Sequence, residues 1–423
     1  MNVFEELRWR EMIYDSTPGL EEVFATQKVA GYIGFDPTAP SLQVGNLFVT
    51  MALVHLQRYG HTPIVVIGGG TALIGDPSGK DKERPLLRKE EIEANKLRFR
   101  EQFKRFLDFD SKSNPAIMVD NADWLVPLNL IDFLRDIGKH FTVNYMLTKE
   151  SVRRRLEQEE GISYTEFSYM LLQAYDFLVL YDRYNCILQM GGSDQWGNIT
   201  AGIELIRRLR GGKAYGLVLP LVTTASGVKF GKTEAGTVWL DPALTSPYRF
   251  YQFWFNTDDR DVVRYLKFFT LLPPDRIEEL AHKVAIVPEE REAQRTLARE
   301  VTRMVHGETA LSRAEKASRI LFGEEIQDIT AEEVEEIFGD VPSTEVRKEE
   351  LSGEGMLITE LLVKCGVASS RSDGRRLIQG GGIYLNNVRV TDIELRVALD
   401  RAIEGKFLVL RKGRKDYHLV KVV

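Results

Sequence analysis

Cysteine is nearly absent: Cys186 and Cys365 are the only two in 423 residues. Two thiols so far apart exclude a disulfide framework and a cysteine-rich zinc site, and they fit reduced thiols in the cytoplasm. Histidine is scarce at six, and none lies in a loop at a strand end, which argues against imidazole acid–base chemistry. No apolar run approaches membrane-spanning length. The opening Met1-Asn2-Val3-Phe4-Glu5-Glu6 turns charged at its fifth residue, so no secretory leader is expected. A P-loop ending is missing, because Ser78-Gly79-Lys80 is followed by Asp81, and so are a nucleophile elbow, a metal-type His pair and a catalytic Cys/His set.

What is there is an ordinary globular composition, 43% hydrophobic and 28% charged, in a chain long enough for two or three domains. The formal charge of −6 is unevenly spread. Residues 351–423 carry thirteen basic and eight acidic side chains, a net +5, which leaves −11 for residues 1–350. A basic module follows an acidic body.

Short apolar runs alternate with helical patterns. Val29–Phe35, His61–Ile67, Pro115–Val119, Cys186–Gly192 and Leu217–Thr223 read as strands. Met1 to about Lys28, Leu42–Gly60, the charged stretch up to Phe106, Leu128–Ile137, Ser163–Leu180 and Ile199–Leu209 read as helices. This rhythm predicts an α/β fold with a Rossmann-like parallel sheet, whose ligand lies beyond the carboxyl ends of the strands. Gly34-Phe35-Asp36, Gly75-Asp76, Gly192-Ser193-Asp194 and the loop after Thr223 all leave strand ends and could converge there. In the first unit, Asp36-Pro37-Thr38-Ala39-Pro40-Ser41 breaks the strand before the helix, an arrangement that suits a phosphate at the helix N-terminus but is equally that of an ordinary strand-turn-helix unit.

Asp36, Asp76, Asp176 and Asp194 suit recognition of hydroxyl and ammonium groups, since a carboxylate accepts hydrogen bonds and attracts cations; each could equally cap a helix or turn. The loop Ala225–Gly236 has few apolar anchors, and its Lys229 and Lys232 could close over an anion or simply tip a solvated hairpin. Lys80 and Arg84, next to the glycine-rich loop, could be a further anion clamp or simply solvated charges.

Tyr32-Ile-Gly-Phe-Asp-Pro-Thr-Ala39, Ile74-Gly-Asp-Pro-Ser-Gly79, Thr165–Asp176, Gly191-Gly-Ser-Asp-Gln-Trp-Gly-Asn198 and Lys229-Phe-Gly-Lys-Thr233 together resemble the bacterial tyrosyl-tRNA synthetases, which are class I aminoacyl-tRNA synthetases. The likeness covers essentially the whole chain, and the tail Met356–Asn387 resembles an S4 RNA-binding domain. The resemblance implies that L-tyrosine is activated with ATP, with Mg²⁺ accompanying the phosphates and no dedicated protein cage, and passed to tRNA(Tyr). It implies a tyrosine site of Tyr32, Asp76, Tyr169, Gln173, Asp176 and Gln195, with Tyr32 and Asp176 on the phenol. It implies ATP contacts at Gly34, Asp36, Thr38, Gly45, Gly192, Asp194 and Lys232, and transition-state stabilisation by Lys80, Arg84, Lys229, Lys232 and Thr233. Arg371, Arg375 and Arg376 would meet RNA, unless they are only a solvated face.

One departure stands out: the His-x-Gly-His signature of the class is here Gln43-Val44-Gly45-Asn46. Both Gln43 and Asn46 still offer N–H donors but are always neutral, which leaves open a synthetase-like RNA-binding protein that activates poorly. The sister tryptophanyl enzymes and a tRNA-free adenylylating ligase are further rivals, disfavoured by Tyr32/Asp176 and by the basic tail. The expected layout is a catalytic domain over residues 1–245, with a dimerisation insert at about 121–182. An α-helical anticodon-side domain (246–323), an acidic linker (324–350) and a small α+β S4 domain (351–423) follow. A cytoplasmic homodimer with no membrane segment is expected.

Overall fold

The computed structural model describes residues 2–78, 87–159, 161–227, 230–233, 236–339, 341–414 and 416–423; of Thr233, only the backbone is described. The chain divides into two compact units, Met1–Ser246 with Phe253–Val305, and Pro247–Gln252 with His306–Val423.

The first unit is built on strands β1 (Asp15–Ser16), β2 (Ala30–Phe35), β3 (Thr62–Ile67), β4 (Ile117–Asp120), β5 (Cys186–Gly192) and β6 (Tyr215–Leu219), in the order β1-β6-β5-β2-β3-β4. The ladders β2–β3, β3–β4, β2–β5 and β5–β6 are parallel, and only β1 runs antiparallel, on the β6 edge. Pro63 to Ile67 of β3 are all buried, as a strand covered on both faces must be. The helix Val44–Arg58 packs on β2 and β3, while Tyr164–Tyr184 and Trp196–Arg210 pack on β5. Strand order reverses between β2 and β5, so their carboxyl ends frame the crevice in which such sheets bind ligands.

The expected N-terminal helix is two short ones, Val3–Trp9 and Leu20–Thr26. Between them Asp15–Ser16 joins the sheet edge, and Thr17-Pro18-Gly19 turns the chain, with Gly19 at φ 86°. After β6 a small hairpin, β7 (Lys232–Thr233) with β8 (Gly236–Thr237), precedes the helices Asp259–Phe269, Pro274–Ile286 and Glu292–His306.

In the second unit β9 (Ser343–Val346), β10 (Met356–Leu357), β11 (Ile383–Leu385), β12 (Val388–Arg389), β13 (Arg396–Val397), β14 (Phe407–Lys412) and β15 (Asp416–Val422) form a five-stranded sheet and a short ladder. The sheet order is β12-β11-β14-β15-β9, and β10 pairs with β13. The helices Ile358–Lys364 and Arg371–Gln379 pack with the sheet around Leu361, Leu362, Ile378, Leu408 and Val420. This is the expected small α+β module.

Its lower boundary differs from expectation. The stretch 324–350 is not a bare acidic linker: it contains the helix Ala331–Phe338, capped by Thr330, and strand β9, which pairs in parallel with β15. Val334, Ile337 and Phe338 are buried, and the Phe338 ring lies 5.1 Å from Tyr417. The glutamates that suggest a linker are the solvated face of an amphipathic helix. The module also grips the preceding helix, Glu308–Leu321. Tyr417 OH donates to the carbonyls of Ile320 and Leu321 (both 3.2 Å), and Asn387 Nδ2 donates to those of Ile320 (2.8 Å) and Glu324 (2.9 Å). The Ile320 and Leu321 carbonyls are in the last turn of the helix, where the i+4 donor is missing, and Glu324 follows just after it.

Candidate active site

The carboxyl ends of β2 and β5 open into a cavity of about 390 Å³. Its wall carries Tyr32, Gly34, Asp36, Thr38, Gln43, Asn46, Asp76, Tyr169, Gln173, Asp176, Gly192, Gln195 and Lys232. The proline-broken turn after β2 is braced from the helix Lys89–Phe103: Asn95 Nδ2 donates to the Pro37 carbonyl at 3.0 Å, and Gln102 Oε1 accepts the Leu42 N–H at 2.9 Å. Asp36 accepts Thr71 Oγ1 at 2.6 Å and Tyr169 OH at 3.0 Å. Gly68 allows this: a Cβ there would stand 1.9 Å from Asp36 Oδ1. Gln43 is the N-cap residue of Val44–Arg58, and its N–H donates to Asn46 Oδ1 at 3.0 Å, so Asn46 spends its acceptor on the helix end and keeps its NH₂.

At the closed end, Tyr32 is 1% exposed, lies edge-on to Phe177 at 5.3 Å, and its hydroxyl has no hydrogen-bond partner among the described residues. Asp176 accepts Trp124 Nε1 at 2.7 Å and Asn121 Nδ2 at 2.9 Å. Asn121 is itself fixed, its Oδ1 accepting the Gly70 N–H at 2.8 Å. Burial raises the Asp176 carboxyl to about 7, against the opposing pull of the Asn121 and Trp124 bonds, with Asp36 and Asp120 adding repulsion. Burial, then Asp176, lifts the Tyr32 phenol well above its ordinary range. A buried carboxyl poised near neutrality beside an unsatisfied hydroxyl marks a polar ligand site.

Midway along the wall lies an amide network. Asp76 accepts Gln195 Nε2 at 2.8 Å and the Ser78 N–H at 2.9 Å. Gln195 Oε1 accepts Gln173 Nε2 at 3.3 Å and Asn198 Nδ2 at 3.1 Å, and Asn198 also donates to Gln173 Oε1 at 3.1 Å. The hairpin bearing Lys232 is stitched to the start of Val44–Arg58, with Val44 N–H donating to Val238 O at 3.2 Å and Leu240 N–H to Leu42 O at 2.9 Å.

Of the expected residues, Gly45 and Asp194 are not on the cavity wall. Asp194 instead turns over Gly192, where a Cβ would meet its Oδ1 at 2.6 Å. Lys80, Arg84 and Lys229, and the side chain of Thr233, lie outside the described residues. Arg371, Arg375 and Arg376 sit on the exposed helix Arg371–Gln379 of the second unit, pairing with Glu360, Glu394 and Asp373. Sequence reasoning missed Thr71, Asn121, Trp124, Gln189 and Asn198. Gln189 is buried with Oε1 unpartnered among the described residues. Only Asn198 lay within a quoted motif. Among the described residues no three His, Cys, Asp or Glu side chains converge as metal ligands.

The family described as tRNA synthetases class I (W and Y) matches residues 25–323, and the tyrosine–tRNA ligase SYY-like C-terminal domain matches residues 333–420. A tyrosine–tRNA ligase of Roseiflexus castenholzii is 58% identical over 421 residues, covering 100% of this chain and 99% of that one. One from Bacillus caldotenax is 52% identical over 424 residues, with 100% of both chains covered. Among solved structures, a C-terminally truncated Aspergillus nidulans mitochondrial tyrosyl-tRNA synthetase superposes with a TM-score of 0.70 at 30% identity, over 76% of this chain and 94% of that one. With such identity sustained from end to end, this chain belongs to the tyrosine–tRNA ligase family of class I aminoacyl-tRNA synthetases.

Proposed function

We propose that the cavity activates L-tyrosine with ATP to give tyrosyl-adenylate and pyrophosphate, and that the tyrosyl group then passes to the 3′ end of tRNA(Tyr). The unsatisfied Tyr32 hydroxyl beside Asp176 carries this reading. A phenol entering the closed end accepts from Tyr32 and donates to Asp176, whereas phenylalanine leaves the buried Tyr32 hydroxyl unpaired, which is the costly outcome, and offers Asp176 no donor beyond Asn121 and Trp124. Asp76, Tyr169 and Gln173 take the ammonium group, with Gln195 near the carboxylate. Gly34, Asp36, Thr38 and Gly192 on the wall hold the adenosine, with Asp194, next to Gly192, completing the set.

The tyrosine carboxylate is the nucleophile. Its oxygen attacks the α-phosphorus as the bond to pyrophosphate breaks, so the protein supplies position and charge rather than a nucleophile. Gln43, Asn46 and the Gly45 N–H at the helix start face the phosphates with Lys232. Lys80, Arg84, Lys229 and Thr233 complete that set. Mg²⁺ would accompany the ATP phosphates and would offset their negative charge. In the second step the terminal ribose hydroxyl of the tRNA attacks the activated carbonyl and AMP departs.

The inserted segment at about 121–182 presents Val126, Leu130, Ile131, Val143 and Tyr164, each at least 60% exposed, as the apolar face of a homodimer. Arg371, Arg375 and Arg376, in the net-positive module, contact RNA phosphates. The two free, buried cysteines and the lack, among the described residues, of a helix fit to cross a membrane suit a cytoplasmic setting. Tyrosine-dependent ATP–pyrophosphate exchange tests the assignment. Exchange with tyrosine is expected; its absence would favour the RNA-binding alternative that the neutral Gln43/Asn46 pair permits, and exchange with tryptophan would overturn the specificity.

A further inference from the structure

The lysine-bearing loop has few apolar anchors in its sequence, yet its one aromatic, Phe230, is 6% exposed. Its ring stacks on Phe269 at 5.3 Å and 19°, meets Tyr265 edge-on at 5.1 Å, and touches Phe253 and Trp254 at 5.7 and 5.9 Å. Phe269 and Tyr265 belong to the helix Asp259–Phe269. That helix also holds the chain entering the loop. Asp261 Oδ2 accepts the Ala225 N–H at 2.8 Å, and the Thr223 carbonyl accepts Arg264 Nη2 at 2.5 Å and Tyr265 OH at 3.2 Å. Its last turn touches the other phosphate-facing element, because Phe48 of Val44–Arg58 lies 4.6 Å from Phe268 and 5.9 Å from Phe269. Buried Arg10 locks this same C-terminal end, donating to the carbonyls of Lys267 (2.9 Å), Thr270 (2.9 Å) and Leu272 (2.8 Å).

The next residue is held from the opposite side. Gly231 has φ +77°, and a Cβ on it would stand 2.7 Å from Val44 Cγ2. Gly231 O also accepts the Val238 N–H at 3.0 Å. One peptide is thus pinned between the aromatic seat and the start of Val44–Arg58, and the residue after it, Lys232, emerges on the cavity wall.

We infer that Phe230 is a positioning residue for tyrosine activation: seated on Asp259–Phe269, it fixes Lys232 opposite the N-terminus of Val44–Arg58, so one helix sets the spacing of both phosphate-facing elements. This rests on the activating role proposed above. Phe230 reaches neither the phenol pocket nor the amide network, so its loss acts on the ATP phosphates and not on tyrosine binding.

The test compares Phe230→Ala, Phe230→Leu and Tyr265→Phe with the unaltered full-length protein. Steady-state ATP–pyrophosphate exchange gives kcat and the KM for ATP; fluorescence titration without ATP gives the tyrosine Kd. Phe230→Ala should lower kcat/KM for ATP by about 10- to 100-fold, the cost of a misplaced group near 1 Å, with the tyrosine Kd unchanged. Phe230→Leu, which refills the seat, should recover most of it. Tyr265→Phe deletes only the bond to the Thr223 carbonyl and should lose about 2- to 10-fold in the same parameter; it decides the matter should the alanine variant fail to fold. Phe230→Ala or Tyr265→Phe matching an active wild type, or a parallel loss of tyrosine affinity, overturns the inference alone. A wild-type protein without exchange overturns the activation reading as well.

Discussion

Replacing Asp176 by Asn should make the ligand-free protein more stable relative to wild type as pH rises. The carboxyl is raised from 3.8 to about 7 by burial, so the folded state holds its proton where the unfolded chain has lost it. Its contribution is fully present below pH 4 and is lost as pH climbs through about 7. Three decades of proton affinity correspond to about 4 kcal/mol at most. The substitution has a second, pH-independent effect. Asn121 cannot turn its amide, because its Oδ1 is held by the Gly70 N–H at 2.8 Å. With Trp124 Nε1 claiming the oxygen of the new amide, two NH₂ groups face each other, costing about 1–3 kcal/mol. The variant should therefore be the less stable protein at pH 4 and draw level with or pass wild type at pH 8.5, while failing to use tyrosine at either pH. Urea denaturation without ligand at the two pH values gives both stabilities. A stability difference that does not change with pH would refute the reasoning, since only the titration of Asp176 moves it.

Tyr32→Phe removes an unpartnered buried hydroxyl, so the free protein should gain about 1–3 kcal/mol in denaturation while its preference for tyrosine over phenylalanine falls; a drop in stability would mean that the hydroxyl is already satisfied. For the homodimer proposed above, Leu130→Asp with Ile131→Asp should leave circular dichroism intact and halve the mass seen by sedimentation. Unchanged dimer mass would refute this face as the contact, and an unaltered protein that sediments as a monomer would refute the dimer. Asn387→Ala strips partners from the Ile320 and Glu324 carbonyls and should destabilise the second unit by about 1–3 kcal/mol. Faster amide exchange near residues 318–324 would report it, and an unchanged rate would count against the capping role.

Much of the sheet could be read in advance because parallel strands are apolar on both faces: Cys186–Gly192 stands where its run of apolar residues put it. The helix Tyr164–Tyr184 outruns its expected end by a turn, since Tyr181-Asp182-Arg183-Tyr184 looks polar, and it stops only at Asn185, at φ 49°. The glycine-flanked carboxylates Asp36 and Asp76 were visible as candidates. Their supports were not: Trp124 and Asn121 reach Asp176 across 52 and 55 residues, and no local pattern encodes such a pairing. Phe230 hid for the converse reason. One aromatic among glycines and lysines resembles a stray surface residue until the ring-lined seat made by a later helix is known.

Strand β9 has a practical bearing on how this protein can be divided. A fragment cut at residue 351, where the basic stretch begins, would lose Ser343–Val346 and leave β15 with an open edge. It would also lose the bond from Lys348 N–H to Val423 O (2.8 Å) that holds the final residue. A bare edge strand invites pairing between copies. Such a fragment should clump, whereas one beginning ahead of Thr330 keeps the edge covered and the Phe338–Tyr417 contact intact.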